Sequence, residues 1–181
     1  PALLGGQVSI LFSALPASQQ AIWNEFNPTG RLNVTRSSLH WKLGLPPQFN
    51  FDAELVEAGL LMKSFPFPLS GVRAKLTFDS KGSMSIESLT GRNEETRVSL
   101  KGEAKFDPNS GWKAYLYDLH VDDLVPDQRF RKTLRAGLRE IVDTLDPRRG
   151  KLSITGELDF LGSMQPGVPV TAAWDFTTVY S

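Results

Sequence analysis

The stretch Arg97-Val-Ser-Leu-Lys-Gly-Glu-Ala-Lys-Phe106 alternates between charged or hydroxyl-bearing residues and small or apolar ones. Successive side chains of a β-strand point to opposite faces, so the pattern predicts a strand with one dry and one solvated face. The dry face would carry Val98, Leu100, Gly102, Ala104 and Phe106.

Two further stretches repeat this alternation, one over residues 71–79 and one over 150–161. Turn-forming sequences separate the segments, among them Ser80-Lys81-Gly82, residues 107–111 and the proline-rich residues 64–68. The sequence therefore predicts antiparallel strands near 31–41, 48–58, 71–79, 83–90, 96–106, 111–122, 150–161 and 168–179.

Helical periodicity is confined to two segments. Over 127–145, one apolar stripe has spacings of three and four and consists of Phe130, Leu134, Leu138, Ile141, Val142 and Leu145. Asp127 can cap this helix and Pro147 would end it. A shorter helix is expected over about 17–26. The predicted fold is mainly β with two helices (α+β): a curved antiparallel sheet of about six to eight strands, as an open groove or half-barrel, with the 127–145 helix at one end.

The dry sides of these strands would form one apolar face. Five strands of eight to ten residues present on the order of 600–700 Å², as much as the largest apolar patch of a typical soluble monomer. A second sheet, closure into a barrel, the helix in part, or lipid could cover this face. The residues predicted to line it as a lipid-facing groove are Val72, Ala74, Leu76, Phe78, Met84, Ile86, Val98, Leu100, Ala104, Phe106, Leu152, Ile154, Leu158 and Phe160.

Composition excludes several other classes. The 181 residues hold 20 Lys+Arg and 20 Asp+Glu, so net charge does not favour nucleic acid as a partner. There is no cysteine, which excludes disulfides and thiolate metal sites. The start lacks an initiator Met and a signal-peptide pattern, and we expect a single segment, 1–181, of a larger protein.

The sequence also lacks the patterns of an active site. His40 and His120 have no other metal-ligating residue at ligand spacing, and no nucleophile or phosphate-loop motif is present. Asp118, Asp122 and Asp123 could form a cation site, but aspartates at a strand end before a helix are typical of turns and caps. We therefore expect no catalytic residues, no metal and no cofactor.

Two other groups of residues have ordinary interpretations. The four tryptophans are expected to pack within the sheet, with stacking on sugars as the alternative; they are Trp23, Trp41, Trp112 and Trp174. The basic side of the 127–145 helix is expected to be a solvated face, with anionic headgroups or nucleic acid as its alternative partners; its residues are Arg129, Arg131, Lys132, Arg135 and Arg139.

Part of the chain resembles another part. Residues 1–35 are similar to 121–155, with Asn27-Pro28 matching Asp146-Pro147 and Gly30 matching Gly150. In both, a helical segment is followed by Asn/Asp-Pro, a glycine and a basic residue that opens a strand. Such self-similarity predicts a partial repeat of a modular unit.

Five phrases, in order, resemble a known family: Gly71-Val-Arg-Ala-Lys-Leu-Thr-Phe, Ile86-Glu-Ser-Leu-Thr-Gly, Arg97-Val-Ser-Leu-Lys-Gly-Glu-Ala, Asp118-Leu-His-Val-Asp-Asp-Leu and Asp146-Pro-Arg-Arg-Gly-Lys-Leu-Ser-Ile-Thr-Gly-Glu-Leu-Asp-Phe. Over roughly residues 20–162 they look like the AsmA-like and TamB-like proteins of diderm bacteria. The resemblance implies a repeating β-groove whose units, of about five strands each, join end to end. It also implies an inner-membrane anchor, a periplasmic location and a part in phospholipid traffic towards the outer membrane.

Two function hypotheses follow. The first is a non-enzymatic lipid-binding or lipid-transport segment of the bacterial cell envelope. Its partners would be phospholipid or another acyl-chain lipid and neighbouring segments of the same parent protein, with no nucleic acid. The second is a structural or adhesive β-sandwich domain of an envelope protein with a sealed core.

Overall fold

The computed structural model describes residues 6–7, 24–63, 65–107, 109–134, 139, 150–163 and 168–180. Over these residues, nine strands form one antiparallel sheet in which each strand pairs with its neighbours in sequence. The strands are β1 (Gly6–Gln7), β2 (Thr29–His40), β3 (Gln48–Leu60), β4 (Leu69–Asp79), β5 (Ser83–Asn93), β6 (Thr96–Asp107), β7 (Gly111–Leu124), β8 (Leu152–Gly162) and β9 (Thr171–Tyr180). The predicted fold class is confirmed, and every predicted strand is present.

The sheet is open. β9 pairs only with β8 among the described strands, and β1 covers only the Arg31–Leu32 part of the outer edge of β2. The outermost described strands are therefore β1 and β9. The outer edge of β9 and most of that of β2 present backbone groups that no described strand pairs.

β-Bulges interrupt the regular register of several strands. The pairing shifts between Leu55 and Ala58 in β3, and again around Asp118 and Asp123 in β7. Glu57, Asp118 and Asp123 have positive φ angles of 52°, 50° and 57°. A bulge bends its strand and increases the local twist, so these positions promote curvature of the sheet.

The curvature is visible in a contact across the sheet. The backbone oxygen of Phe26 accepts a hydrogen bond from the Leu61 N–H, 3.3 Å away, which places Phe26 beside the end of β3. Its ring nevertheless packs edge-on against Phe160 of β8, with centroids 6.1 Å apart. In a flat sheet β3 and β8 would lie about 24 Å apart. The sheet therefore curves around one concave side, called here the inner face.

The helix after β7 is shorter than predicted. Helix α1 spans Gln128–Thr133, and the Asp127 carboxylate caps it by accepting the Phe130 N–H at 2.8 Å, as the sequence predicted. Leu134 then has extended angles (φ −75°, ψ 139°), so the prediction of one continuous helix over 127–145 is wrong. The chain turns here because the Leu134 side chain is buried against Leu124 and Phe130.

The guanidinium of Arg139 stabilises this early end of α1. It donates hydrogen bonds to the carbonyl oxygens of Arg131 and Leu134, both at 3.0 Å, and to that of Lys132 at 3.4 Å. The last carbonyls of a helix lack partners within the helix, so a basic side chain satisfies them. Residue 139 is itself helical; residues 135–138 and 140–149 lie outside the described part of the chain.

Of the predicted helix over 17–26, residues 24–26 are described and are helical, and the rest lies outside the described residues. No helix within the described ranges has the length and apolar character needed to cross a bilayer.

Candidate functional site: the inner face of the sheet

The residues predicted to line a groove lie on one side of the sheet. Seven of them belong to the main buried cluster: Val72, Ala74, Leu76, Ile86, Val98, Ala104 and Phe160. Five more are partly buried and pack against that cluster: Phe78, Met84, Leu100, Phe106 and Leu158. Leu152 and Ile154 instead pack against a second cluster, formed by Leu124, Phe130 and Leu134. Whether this face binds lipid stays a prediction.

The centre of the inner face has little free surface. Val72 is fully buried, and Ala74 and Leu76 are only 4% and 6% exposed to solvent. Phe26, Met62 and Phe67, which belong to the connections between strands, pack onto this region. A ligand in this conformation could contact the partly buried residues of the face but hardly the seven buried ones.

One end of the inner face is covered by three connecting segments and is called here the closed end. The segment before β2 is joined to the segment after β3, since the Lys63 N–H donates to the Glu25 carbonyl at 2.9 Å. Phe65 and Phe67 contact Phe130 of α1 edge-to-face, with centroids 6.4 and 5.8 Å apart. These contacts join the segment after β3 to the helix after β7.

The opposite end of the inner face, called here the open end, retains partly exposed apolar side chains. Phe49, Phe51, Phe78 and Met84 are each partly buried. The Phe49 and Phe51 rings stack with centroids 6.0 Å apart, and Phe51 stacks on Phe78 at 4.8 Å. Phe78 pairs with Met84 across β4 and β5. The open end is thus an apolar row that crosses three strands, with aromatic rings on β3 and β4 and Met84 on β5.

The end of the β2–β3 hairpin carries the most exposed hydrophobic side chains near the open end. Leu39, Trp41, Leu43 and Leu45 are 69%, 67%, 93% and 58% exposed, and together they are called here the apolar tip. The prediction that the tryptophans pack in the sheet is right for Trp112, which is 3% exposed, and wrong for Trp41. Trp174 is 41% exposed on the edge strand β9, so the prediction fails there too; Trp23 lies outside the described residues.

The outer face carries ion pairs at its β-bulges. Asp123 accepts hydrogen bonds from Arg97 at 2.7 Å and from Lys151 at 3.1 Å, and Asp118 accepts one from Lys101 at 3.0 Å. The hydrogen bonds to Asp123 and to Glu95 raise the pKa of Lys151, and the hydrogen bond to Asp118 raises that of Lys101. Asp118 and Asp123 thus form ion pairs with basic side chains at the two bulges of β7.

A shallow depression of about 760 Å³ crosses β4 to β8 near the turn end of the sheet. Ala104, Ala114 and Phe160 border it but are buried, whereas Glu103, Lys105, Lys113, Tyr115 and Asp159 are exposed beside them. Phe78 and Met84 of the inner face also line it, so side chains of both faces border the depression. A hydrogen bond with Glu157 raises the pKa of Tyr115 to about 12. Acidic and basic side chains alternate around the depression. Its charge therefore does not favour one class of ligand over another.

The described residues contain no group of three His, Asp or Glu side chains placed to hold a metal ion. His40 and His120 are both exposed on their strands. Arg129 of α1 forms an exposed ion pair with Glu94 at 3.1 Å, while Arg135 lies outside the described residues.

Sequence reasoning missed part of the inner face. Trp112, Leu116 and Leu119 of β7, together with Leu55 and Leu89, are buried in the same cluster. The register shifts in β7 between Leu116 and Leu119 and in β5 between Ile86 and Leu89. A bulge changes which residues share a face, so strict alternation does not reveal Leu119 and Leu89. Trp112, Leu116 and Leu55 precede the bulges of their strands and keep the period of two, so the sequence could have revealed them. The apolar tip was detectable as the run Leu39-His-Trp-Lys-Leu-Gly-Leu45.

Comparison of the chain with family models, with curated proteins and with solved structures found no match.

Proposed function

We propose that this chain is a non-enzymatic, lipid-binding segment of a larger bacterial envelope protein, and that its inner face holds acyl chains. The observation that carries the proposal is the continuous apolar inner face, which is covered at one end and keeps partly exposed side chains on β3 to β5 at the other. Phospholipid or another acyl-chain lipid would enter at the open end.

The chemistry of the open end suits an acyl chain. Phe51, Phe78 and Met84 present aromatic and thioether side chains without a charged group among them. Such a surface binds by area rather than by directed hydrogen bonds, at about 0.8 kcal/mol per buried methylene. Met side chains also adapt to ligands of irregular shape.

The outer edges of β2 and β9, which are largely unpaired among the described strands, support a place within a longer groove. An unpaired strand edge can template the addition of another strand. A second segment of the parent protein pairing with β2 or β9 would continue the sheet and its inner face.

The predicted repeat is compatible with such joining. Gly30 and Gly150, the matched glycines, both have positive φ angles, 111° and 147°. Gly30 is the second residue of β2, and Gly150 precedes β8 by two residues. The AsmA-like or TamB-like relationship, the periplasmic location and an inner-membrane anchor remain parts of the proposal.

A second candidate function is a structural or adhesive envelope domain with a sealed core. The burial of Val72, Ala74 and Leu76 favours it, because these residues already have the solvent exposure of a packed core. In that case the open end would be covered by another protein segment and would bind no lipid.

Native mass spectrometry of the purified chain with a short-chain, monomeric phosphatidylglycerol separates the two candidates. We expect adducts with the mass of the lipid. Met84→Glu, which places a charge at the open end, should abolish them, whereas Ser85→Glu on the adjacent exposed position of the outer face should retain them. A complete lack of adducts, or equal adducts in both variants, would count against lipid binding by the inner face.

A further inference from the structure

The β2–β3 hairpin extends past the end of the sheet. The pairing of β3 with β4 begins at Asn50 and Asp79, and the Ser80 N–H donates to the Phe49 carbonyl at 2.9 Å. Residues 39–48 lie beyond these contacts, and in the described residues only the hairpin's own pairs, Leu39 with Phe49 and His40 with Gln48, support them. The apolar tip is therefore an overhanging loop.

Composition and exposure of the tip are unusual for a loop in water. Its four large apolar side chains alternate with His40, Lys42 and Gly44, and each keeps more than half of its exposure. No Asp or Glu occurs over residues 37–51, so Lys42 provides the only formal charge of the hairpin end at neutral pH. A cluster of this kind marks an interaction site.

The backbone of the tip is suited to a medium without water. Pro46 and Pro47 have no N–H group, and the Leu45 N–H donates to the Lys42 carbonyl at 3.0 Å. Unsatisfied backbone donors are costly in hydrocarbon. Leu45 of the tip and the two prolines that follow it therefore bring no free N–H donor with them.

We propose that the apolar tip inserts into the surface of a lipid bilayer that contains anionic lipids. Leucine side chains partition into the acyl region, and tryptophan prefers the level of the headgroups. Lys42 would meet anionic headgroups, and no nearby carboxylate of the hairpin opposes that attraction. The charge and the apolar residues of the tip thus complement the same surface.

The tip also continues into the open end of the inner face. Leu39 pairs with Phe49, whose ring stacks on Phe51, and the Phe51 ring stacks on Phe78. Directly paired residues of neighbouring strands share a face, so these side chains form one apolar path. Docking would place the open end beside the bilayer, although membrane docking itself does not depend on the proposed lipid-binding function.

Flotation with vesicles tests the proposal. The whole chain is mixed with vesicles of phosphatidylcholine alone, or of equal parts phosphatidylcholine and phosphatidylglycerol. We expect it to float with both and more strongly with the anionic vesicles. The double variant Trp41→Ser, Leu43→Ser should lower the partition coefficient at least about tenfold, because each buried side chain of this size contributes that order of affinity.

Two variants control for nonspecific hydrophobic and charge effects. Leu161→Ser removes a half-exposed leucine from the outer face of β8 and should float like the wild type. Lys42→Glu should weaken binding to the anionic vesicles but leave binding to phosphatidylcholine nearly unchanged. Circular dichroism of each variant verifies that the sheet is retained.

Three outcomes would overturn the proposal: no flotation of the wild type, equal flotation of the double variant, or equal loss with Leu161→Ser. Self-association that the double variant abolishes, without vesicle binding, would assign the tip to a second copy of the chain. Met84→Glu should float normally while losing acyl-chain binding, so failure of the tip and failure of the inner face are distinguishable.

Discussion

The ring of Phe51 stacks on the ring of Phe78 with centroids 4.8 Å apart, at the end of the inner face that remains accessible. The two residues are paired across β3 and β4, and their rings are inclined by 22°. This pair connects the outermost aromatic residue, Phe49, to the rest of the inner face.

Because stacked aromatic pairs gain energy beyond their buried area, Phe51→Leu and Phe78→Leu should show a coupling energy of about 1 kcal/mol in a double-mutant cycle. Urea denaturation of the wild type, both single variants and the double variant provides the measurement. Strictly additive effects would show that the rings do not interact in solution.

Gly102 is required where β6 passes under a side chain of β7. A Cβ atom at this position would lie 2.7 Å from Leu116 Cδ2 and 2.9 Å from the Tyr115 carbonyl oxygen. Gly102→Ala should therefore destabilise the fold by about 1–3 kcal/mol, as overpacking does in other cores. Glu103→Ala, the exposed neighbour on the same strand, should change stability by less than about 0.5 kcal/mol. Equal denaturation midpoints for the two variants would contradict this packing.

The Asp127 cap should contribute to the stability of the closed end. Its carboxylate accepts the Phe130 N–H, and Phe130 is the buried residue of α1. Asp127→Ala should lower the free energy of unfolding by about 1 kcal/mol, as measured by urea denaturation. Asp127→Asn, which keeps a hydrogen-bond acceptor, should lower it much less. The cap would have no such role if alanine and asparagine proved equivalent.

The hydrogen bond between Tyr115 and Glu157 should be visible in an alkaline titration. It raises the pKa of Tyr115 to about 12, above the value near 10 in the unfolded chain. The stabilisation is then complete below pH 10 and is lost as pH rises through the folded value. The absorbance difference between wild type and Tyr115→Phe isolates this phenol, and Glu157→Gln should lower its pKa. An unchanged titration in Glu157→Gln would exclude the hydrogen bond.

Alternation of apolar residues was sufficient to predict the strands, since long runs of β4, β6 and β8 keep a period of two. It was insufficient where a bulge intervenes, as at Asp118, because the residues beyond the bulge exchange faces. The start of helix α1, capped by Asp127, was predicted correctly, whereas the position of its C-terminus was predicted wrongly. The burial of Leu134 against the strand residue Leu124 determines that end, and a helical periodicity holds no information on such a contact.

The inner face itself was predictable, but its accessibility was not. Val72 and Phe78 have the same place in the alternation of β4, yet one is fully buried and the other partly exposed. The difference depends on curvature and on connecting residues such as Phe26 and Phe67. These are contacts between parts of the chain that are distant in sequence.

Photo-crosslinking from single positions tests the central claim most directly. A photo-reactive phenylalanine analogue is placed at the position of Met84 on the inner face or of Ser85 on the outer face, and the chain is irradiated with phosphatidylglycerol. We expect lipid adducts from position 84 and almost none from position 85. Adducts at equal yield from both positions, or none from position 84 in a folded chain, would contradict an inner face that holds acyl chains.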